Sequence, residues 1–143
     1  MNIAISSDHA GVQYKKALVE YIAQLGHQVN DLGPYKEDSV DYPDFAHLLA
    51  ETVLQKTAEL GIILCGTGNG VAMAANKHQG IRAGLAWNEE VAALIRQHND
   101  ANILAIPARF VQLEEAKKIV KTYLETPFEG GRHQRRVDKI ACM

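Results

Sequence analysis

The sequence predicts a three-layer α/β/α domain built on a mostly parallel sheet of about five strands, with a helical tail at the C-terminus. Two observations predict this fold. Short apolar runs alternate along the chain with longer segments whose apolar residues recur at helical spacing. Strands that alternate with helices pair in parallel through right-handed crossovers, which covers both faces of the sheet with helices. The length of 143 residues fits one domain over residues 1–143.

Apolar periodicity and helix-ending residues place the elements of the first half. The helix predicted over 12–25 carries an apolar stripe, and Gly26 is placed to end it. Asp41 is a good N-cap and Pro43 is tolerated in a first turn, so a second helix is expected to begin near 41–43. The stripe consists of Tyr14, Ala17, Leu18, Tyr21, Ile22 and Leu25. The strands predicted in this half cover 2–6, 27–32 and 61–65, the last being the clearest buried strand, and a polar loop covers 33–41.

The second half continues the alternation. A glycine-rich turn leads into a helix that ends near residue 76, and Asn88 is placed to cap another helix. Residues from Glu129 onward form a basic tail that begins with Gly130 and Gly131. The other elements predicted here are strands over 81–87 and 102–106 and a long helix over 113–124.

Composition and charge exclude several classes of protein. A net charge of −2 provides no basic field for nucleic acid. No apolar run approaches the ~20 residues of a membrane helix. The N-terminus lacks the basic start and apolar run of a signal peptide, so a cytoplasmic location is expected. Cys65 and Cys142 have no CxxC spacing, so neither a structural disulfide nor a zinc site is expected.

The residues that follow the predicted strands carry the chemistry, because ligands of open parallel sheets bind outside the carboxyl ends of the strands. Ser7, Asp8 and His9 follow the first strand, and the loop 65–70 follows the third. The fourth helix ends in the segment 98–100, His-Asn-Asp, which is expected to converge on the same place.

The loop 65–70 reads Cys-Gly-Thr-Gly-Asn-Gly. Its glycines let backbone N–H groups approach a ligand at a helix N-terminus, where they can bind phosphate or stabilise an oxyanion. The loop lacks the Lys-Ser/Thr ending of a P-loop, and its GxGxG pattern is not the GxGxxG of dinucleotide sites. The alternative is a tight strand-to-helix turn without a ligand.

Cys65 faces this helix N-terminus, which favours a thiolate that acts as a base or a nucleophile. The alternative is a small buried apolar residue, as most free cysteines are. Cys142 is expected to be inert.

Two other positions have both a functional and a structural interpretation. Asp8 and His9 form either an acid/base pair or a binder of hydroxyls and phosphate, whereas Asp8 could instead cap the helix that begins near Gly11. His98 lies at helical spacing from apolar residues, which suits a buried core histidine, and it could equally shuttle protons near neutral pH.

Arg132 and Arg136 lie four residues apart, so on a helix they project from one face and together suit a phosphate dianion. The alternative is a solvated basic tail. Arg109 follows the fifth strand and is a further possible anion ligand. The remaining histidines show no constellation and are interpreted as structural or solvent-facing: His27, His47, His78 and His133.

These features together suggest a phosphorylated small substrate, an activated cysteine, a histidine that shuttles protons and a glycine-rich anion site. Neither a metal nor a cofactor is expected. The combination fits proton abstraction next to a carbonyl, or a covalent thiol mechanism.

The same residues resemble a known family, the B-type ribose-5-phosphate isomerases, in register and essentially from end to end. The wider family includes galactose-6-phosphate and allose-6-phosphate isomerases. The matching blocks are Ser7-Asp8-His9-Ala10-Gly11, Asp41-Tyr42-Pro43, Cys65-Gly66-Thr67-Gly68-Asn69-Gly70, Ala75-Asn76-Lys77, Arg96-Gln97-His98-Asn99-Asp100 and Gly130-Gly131-Arg132-His133-Gln134.

The resemblance implies a Rossmann-like sandwich and a homodimer or tetramer whose active site lies at the subunit interface. It also implies metal-independent interconversion of D-ribose 5-phosphate and D-ribulose 5-phosphate, in the non-oxidative pentose phosphate pathway. Cys65 would be the base, Thr67 would assist proton transfer at the substrate oxygens, and the backbone of 66–70 would hold the enediolate. His98 would open the sugar ring, with Asp8 near the ring oxygen or the hydroxyls. The residues implied to bind the phosphate and other substrate oxygens are His9, Tyr42, Asn99, Arg109, Arg132 and Arg136.

One branch of the family uses a glutamate in this loop as its base. Val71 stands at that place here and cannot titrate, so the resemblance implies Cys65. An isomerase of allose 6-phosphate or galactose 6-phosphate is the nearest alternative. A non-catalytic sugar-phosphate sensor and a cysteine-nucleophile hydrolase are alternatives of other classes.

Overall fold

The computed structural model describes residues 1–142 and contains one five-stranded sheet, in which every pair of neighbouring strands is parallel. The strands are β1 (Asn2–Ser7), β2 (Gln28–Asp31), β3 (Leu60–Cys65), β4 (Ala83–Leu85) and β5 (Ile103–Pro107). Their order across the sheet is β2-β1-β3-β5-β4. The helices are α1 (Val12–Gln24), α2 (Tyr42–Leu54), α3 (Asn69–Ala75), α4 (Glu89–Gln97), α5 (Leu113–Glu125) and α6 (Arg132–Asp138).

Helices cover both faces of the sheet, which confirms the predicted three-layer architecture. Alternate residues of a strand point to opposite faces. In β3, Ile62 and Leu64 pack into a core with α1, α4 and α5, whereas Ile63 and Cys65 pack into a second core with α2 and α3. Every residue of β3 is buried, as expected for the central strand of a covered parallel sheet.

The fourth strand is shorter than the predicted span of 81–87. Ile81 donates its backbone N–H to the carbonyl of His78, and Arg82 donates its own to the side-chain oxygen of Asn102. These donors are therefore used in a turn and a side-chain contact rather than in pairing of β4 with β5, and the strand begins only at Ala83.

The predicted stripe of the first helix was right at Leu18 and Ile22, which are buried, whereas its other members are only partly buried: Tyr14, Ala17, Tyr21 and Leu25. Val12, Lys15, Leu18 and Ile22 are the residues of α1 that are buried, so a lysine occupies a place on the face that packs against the sheet. Asp41 precedes α2 as its N-cap residue, but its side chain makes no capping hydrogen bond.

The direction of the helices divides the loops between the two edges of the sheet. A helix that connects parallel strands runs back along the sheet, so α1 to α5 begin at the edge where the strands end and finish at the opposite edge. Across β3 the carboxyl and amino edges lie about 17 Å apart, from the rise of a parallel strand. None of the helices within residues 1–142 is long and apolar enough to span a membrane.

Candidate active site

The side chain of Cys65 lies at the carboxyl edge of the central strand and is only 6% exposed. Its Sγ accepts a hydrogen bond from the backbone N–H of Gly68, with 3.1 Å between nitrogen and sulfur. Gly68 is the N-cap residue of α3, so the sulfur faces the positive end of that helix. An N–H donor and a helix N-terminus are the surroundings in which cysteines act as bases or nucleophiles in proteins.

Gly68 has a conformation that requires glycine. Its φ is +76°, and a Cβ at this position would lie 2.4 Å from a side-chain carbon of Leu85. An alanine here would strain the left-handed backbone, push the end of the Leu85 side chain aside and crowd the backbone nitrogen of Pro107 at 3.2 Å, which would disturb the N–H donor that reaches Cys65.

Tyr42 and Arg109 border the loop 65–70 on two sides. A Cβ added to Gly70 would meet the ring of Tyr42 at 2.6 Å, so the ring lies directly against the start of α3. A Cβ added to Gly66 would meet the Arg109 side chain at 3.1 Å, so that side chain crosses the loop. The structure brings both predicted site residues to Cys65.

Thr67 and Asn69 occupy the open side of the same loop. Both are exposed, and the backbone N–H of Asn69 donates to the Thr67 hydroxyl oxygen at 3.3 Å. The hydroxyl is thus held at an exposed position of the same loop that carries Cys65.

Asp8 has the structural role that the sequence left open. Its backbone N–H donates to the Leu64 carbonyl at 2.9 Å, and its Oδ1 accepts the backbone N–H of Gly11 at 3.1 Å. The capping interpretation is thus confirmed for one carboxylate oxygen. The contact with Leu64 also places Asp8 beside the end of β3, in the same group as Cys65.

His9 is held in a defined tautomer by the loop 33–41. The backbone N–H of Val40 donates to Nδ1 of His9 at 3.4 Å, so Nδ1 is an acceptor. The ring proton is therefore on Nε2, which is free to donate to an anion.

An ion pair with a buried lysine, which was not among the sequence predictions, anchors the start of that loop. Lys15 Nζ lies 2.7 and 2.8 Å from the two carboxylate oxygens of Asp31, and Asp31 Oδ1 also accepts the N–H of Gly33. Gly33 in turn accepts the N–H of Ser7 at the end of β1. A lysine in register with the buried residues of α1 was the signal that could have found it.

His98 and Asn99 lie at the opposite edge of the sheet from Cys65, so the expected convergence within one chain was wrong. The reason is geometric: α4 starts at the carboxyl edge and runs back, and His98 follows its last turn as the C-cap residue. Of the two interpretations left open for His98, the buried core histidine was wrong, since its side chain is 42% exposed.

The predicted arginines of the tail join His98 at this amino edge. Arg132 and Arg136 both lie on α6 and are exposed, and a cavity of about 290 Å³ is lined by His98, Asn99 and Arg136. The predicted site residues therefore form two groups. The carboxyl-edge group consists of Asp8, His9, Tyr42, Cys65, Gly66, Thr67, Gly68, Asn69, Gly70 and Arg109. The amino-edge group consists of His98, Asn99, Arg132 and Arg136.

Glu129 and His133 also belong to the amino edge, and the sequence analysis did not predict a role for either. The His133 ring stacks on the His98 ring with centroids 4.3 Å apart and planes at 13°. Oε1 of Glu129 lies 3.7 Å from Nε2 of His98 and 3.5 Å from Nε2 of His133. Burial of its ring, followed by the charges of His98 and Arg132, lowers the pKa of His133 below its ordinary value, and Glu129 opposes this.

These three side chains are the group within residues 1–142 that could hold a metal ion. Zinc would require nitrogen lone pairs directed at one point about 2 Å from each ligand. The nearly parallel rings direct their lone pairs side by side instead. The arrangement therefore suits a carboxylate shared by two N–H donors better than a metal centre.

His47 and His78 also form a pair that the sequence did not indicate. Nδ1 of His47 lies 2.7 Å from Nε2 of His78, which joins α2 to the turn after α3. One ring donates and the other accepts, so this contact is structural. No sequence pattern indicates this contact, because the two histidines are 31 positions apart and come together only in the folded chain.

Comparison with known proteins gives matches that extend over nearly the whole chain. Residues 3–140 match the family model described as Ribose/Galactose Isomerase. Ribose-5-phosphate isomerase B of Escherichia coli (strain K12) is 43% identical over 141 residues, which covers 99% of this chain and 95% of that protein.

Solved structures agree with the fold in detail. A ribose 5-phosphate isomerase from Thermotoga maritima has a TM-score of 0.97 and 48% identity, covering 99% of this chain and 98% of its own. Ribose-5-phosphate isomerase B from Mycoplasma genitalium, solved with bound ribulose-5-phosphate, has a TM-score of 0.93 and 51% identity, covering 97% of this chain and 93% of its own.

Proposed function

Because this chain belongs to the ribose/galactose isomerase family, we propose that it interconverts D-ribose 5-phosphate and D-ribulose 5-phosphate through an enediolate. The observation that carries the proposal is the Sγ of Cys65, which receives an N–H donor at the mouth of a glycine-rich loop. A thiolate beside backbone N–H donors suits proton abstraction next to a carbonyl. The relative from Mycoplasma genitalium was solved with bound ribulose-5-phosphate, which supports the choice of sugar.

The proton transfer uses the loop 65–70. In the open-chain aldose, Cys65 removes the proton from C2, and the electron pair of that bond moves to form the C1–C2 double bond while O1 becomes an oxyanion. Backbone N–H groups of the loop stabilise this charge. Thr67 relays the proton of the C2 hydroxyl to O1, and Cys65 returns its proton to C1, which leaves the ketone at C2.

The phosphate supplies binding energy away from the reacting carbons. His9 would donate to the phosphate from Nε2, and Arg109, whose side chain lies against Gly66, would add a guanidinium group. Arg132 and Arg136 present two further guanidinium groups from one face of α6, a geometry that suits a phosphate dianion.

The division of the site into two groups supports an active site shared between subunits. His98, Asn99 and the α6 arginines lie at the opposite edge of the sheet from Cys65 of the same chain. In a homodimer, the amino-edge group of one copy would face the carboxyl-edge group of the other. Each site would then contain Cys65 from one subunit and His98, as the ring-opening residue, from the other. A tetramer would contain two such dimers.

The proposal extends to the setting of the reaction. We place the enzyme in the cytoplasm, since sugar phosphates are charged and do not cross membranes and since free cysteines suit a reducing compartment. Residues 1–143 would act as one isomerase domain without a metal or other cofactor.

The test is the rate of ribulose 5-phosphate formation from ribose 5-phosphate in the presence of EDTA, for the native enzyme and for Cys65→Ala. We expect turnover that survives EDTA and is lost in the variant, while inorganic phosphate still binds. Faster turnover of allose 6-phosphate or galactose 6-phosphate would assign a hexose phosphate instead. Binding of sugar phosphates without any turnover would support a sensor, and a covalent adduct on Cys65 would support a hydrolase.

A further inference from the structure

The His98 imidazole is held by two side chains that have no part in the proposed site. The His133 ring covers one face of His98 in nearly parallel stacking, and the Glu129 carboxylate approaches the Nε2 edge of both rings. The backbone N–H of Glu129 donates to the carbonyl of Gln97 at 3.1 Å, which ties the start of the tail to the last turn of α4. One ring face and one ring nitrogen of His98 are thus constrained by the same short segment.

The carboxylate determines which nitrogen of His98 carries the proton. A bare Nε2 lone pair facing Oε1 at 3.7 Å would be repelled, whereas an Nε2–H is attracted. With the proton on Nε2, Nδ1 of His98 is the nitrogen that exchanges a proton with a ligand. Within residues 1–142, no protein hydrogen bond occupies that Nδ1.

The surroundings of His133 disfavour a positive charge on its ring: Arg132 and Arg136 lie on the same helix, and its side chain is 12% exposed against 42% for His98. These surroundings lower the pKa of His133, which favours the uncharged form of the ring that stacks on His98.

We propose that Glu129 and His133 are positioning residues that orient His98 for opening the furanose ring of the substrate. This inference rests on the proposed function. Ring opening moves the proton of the C1 hydroxyl to the ring oxygen as the C1–O4 bond breaks, so the imidazole must meet both oxygens in one orientation. A side chain that is almost half exposed would otherwise sample several rotamers.

The experiment separates ring opening from the enediolate step. Ribulose 5-phosphate is acyclic, because its only hydroxyl able to close a furanose on C2 carries the phosphate. Exchange of its C1 proton with D2O therefore requires Cys65 but no ring opening. For Glu129→Gln we expect conversion of ribose 5-phosphate to fall at least about tenfold, while the C1 exchange rate stays within about twofold of the native rate. His133→Asn is expected to show the same split.

Glu125→Gln is the matched control, since it removes the same charge from an exposed position on the end of α5 and should leave both rates unchanged. Glu129→Asp, which keeps the carboxylate, should recover part of the conversion rate. Equal losses of conversion and exchange in Glu129→Gln would overturn the inference, as would no loss of either. If Cys65→Ala retained the exchange, the proposed function would fail separately, because the base would then lie elsewhere.

Discussion

The Sγ atom of Cys65 lies 3.1 Å from the backbone nitrogen of Gly68, which donates a hydrogen bond to it. Only two residues separate them in the sequence. The contact nevertheless depends on the left-handed backbone of Gly68 and on Leu85 of β4, which packs against it. The reactivity of the cysteine is therefore linked to the conformation of one glycine.

Replacing Gly68 by alanine should disrupt the hydrogen bond from its backbone N–H to the Sγ of Cys65. The φ of +76° and the 2.4 Å approach to Leu85 are expected to cost about 3 kcal/mol of unfolding free energy, together with most of the isomerase activity. Urea denaturation and initial rates measure the two effects. Gly130→Ala is the control, because Gly130 also has a positive φ of +68° but nothing within 4 Å, so it should cost about 1 kcal/mol. Equal costs for the two variants would contradict the close approach of Leu85.

A site shared between two copies predicts complementation. Cys65→Ala and His98→Asn homodimers should each be inactive, since every site lacks one of the two groups. After subunit exchange in a 1:1 mixture, half of the molecules are heterodimers, and each has one intact site. About a quarter of native activity should then return. Activity that stays at the level of the separate variants would place Cys65 and His98 in the same subunit's site.

The Lys15–Asp31 ion pair should contribute strongly to stability, because Lys15 is fully buried on α1. Lys15→Met leaves the Asp31 carboxylate without its partner and is expected to lower the free energy of unfolding by about 3 kcal/mol. The neighbouring Lys16→Met, at an exposed position, should change it by less than about 0.5 kcal/mol. The double variant with Asp31→Asn should recover part of the loss. A similar loss of unfolding free energy for Lys15→Met and Lys16→Met in urea denaturation would show that the ion pair does not stabilise the folded chain.

The pKa of His133 should respond in opposite directions to two substitutions. Glu129→Gln removes the charge that raises this pKa and should lower it further, whereas Arg132→Ala should raise it. Because the folded pKa lies below the unfolded value of about 6.5, the folded chain binds this proton less readily, and stability falls as pH drops through that value. NMR titration of the ring protons measures the shifts. Movement in the same direction for both variants would contradict the electrostatic cause.

Much of the carboxyl-edge group could be predicted from the sequence because its members are local. Cys65 and the loop glycines are consecutive, and parallel strands bring Asp8 and His9 to the same edge by a general rule. The capping role of Asp8 and that of Asn88, whose Oδ1 accepts the N–H of Val91, follow from spacings of three residues.

The amino-edge contacts could not be predicted in the same way. Stacking of His98 on His133 joins positions 35 residues apart, and Lys15 meets Asp31 across a helix and a strand. Such pairs leave no periodic signal, since each depends on how two elements pack. The expectation that His98 lies beside Cys65 was wrong for a related reason. The α4 helix runs back along the sheet, so its last residue lies at the opposite edge from Cys65.

Periodicity and local turn chemistry act over a few residues, so they specify the alternation of strands and helices, the glycine-rich loop at the end of the central strand and the cysteine within it. The tertiary structure decided that His98 and Arg136 lie at one edge while Cys65 lies at the other, and that Glu129 reaches His98. Strand order and helix direction arise from burial of apolar faces over the whole chain, so they place side chains that no local pattern relates.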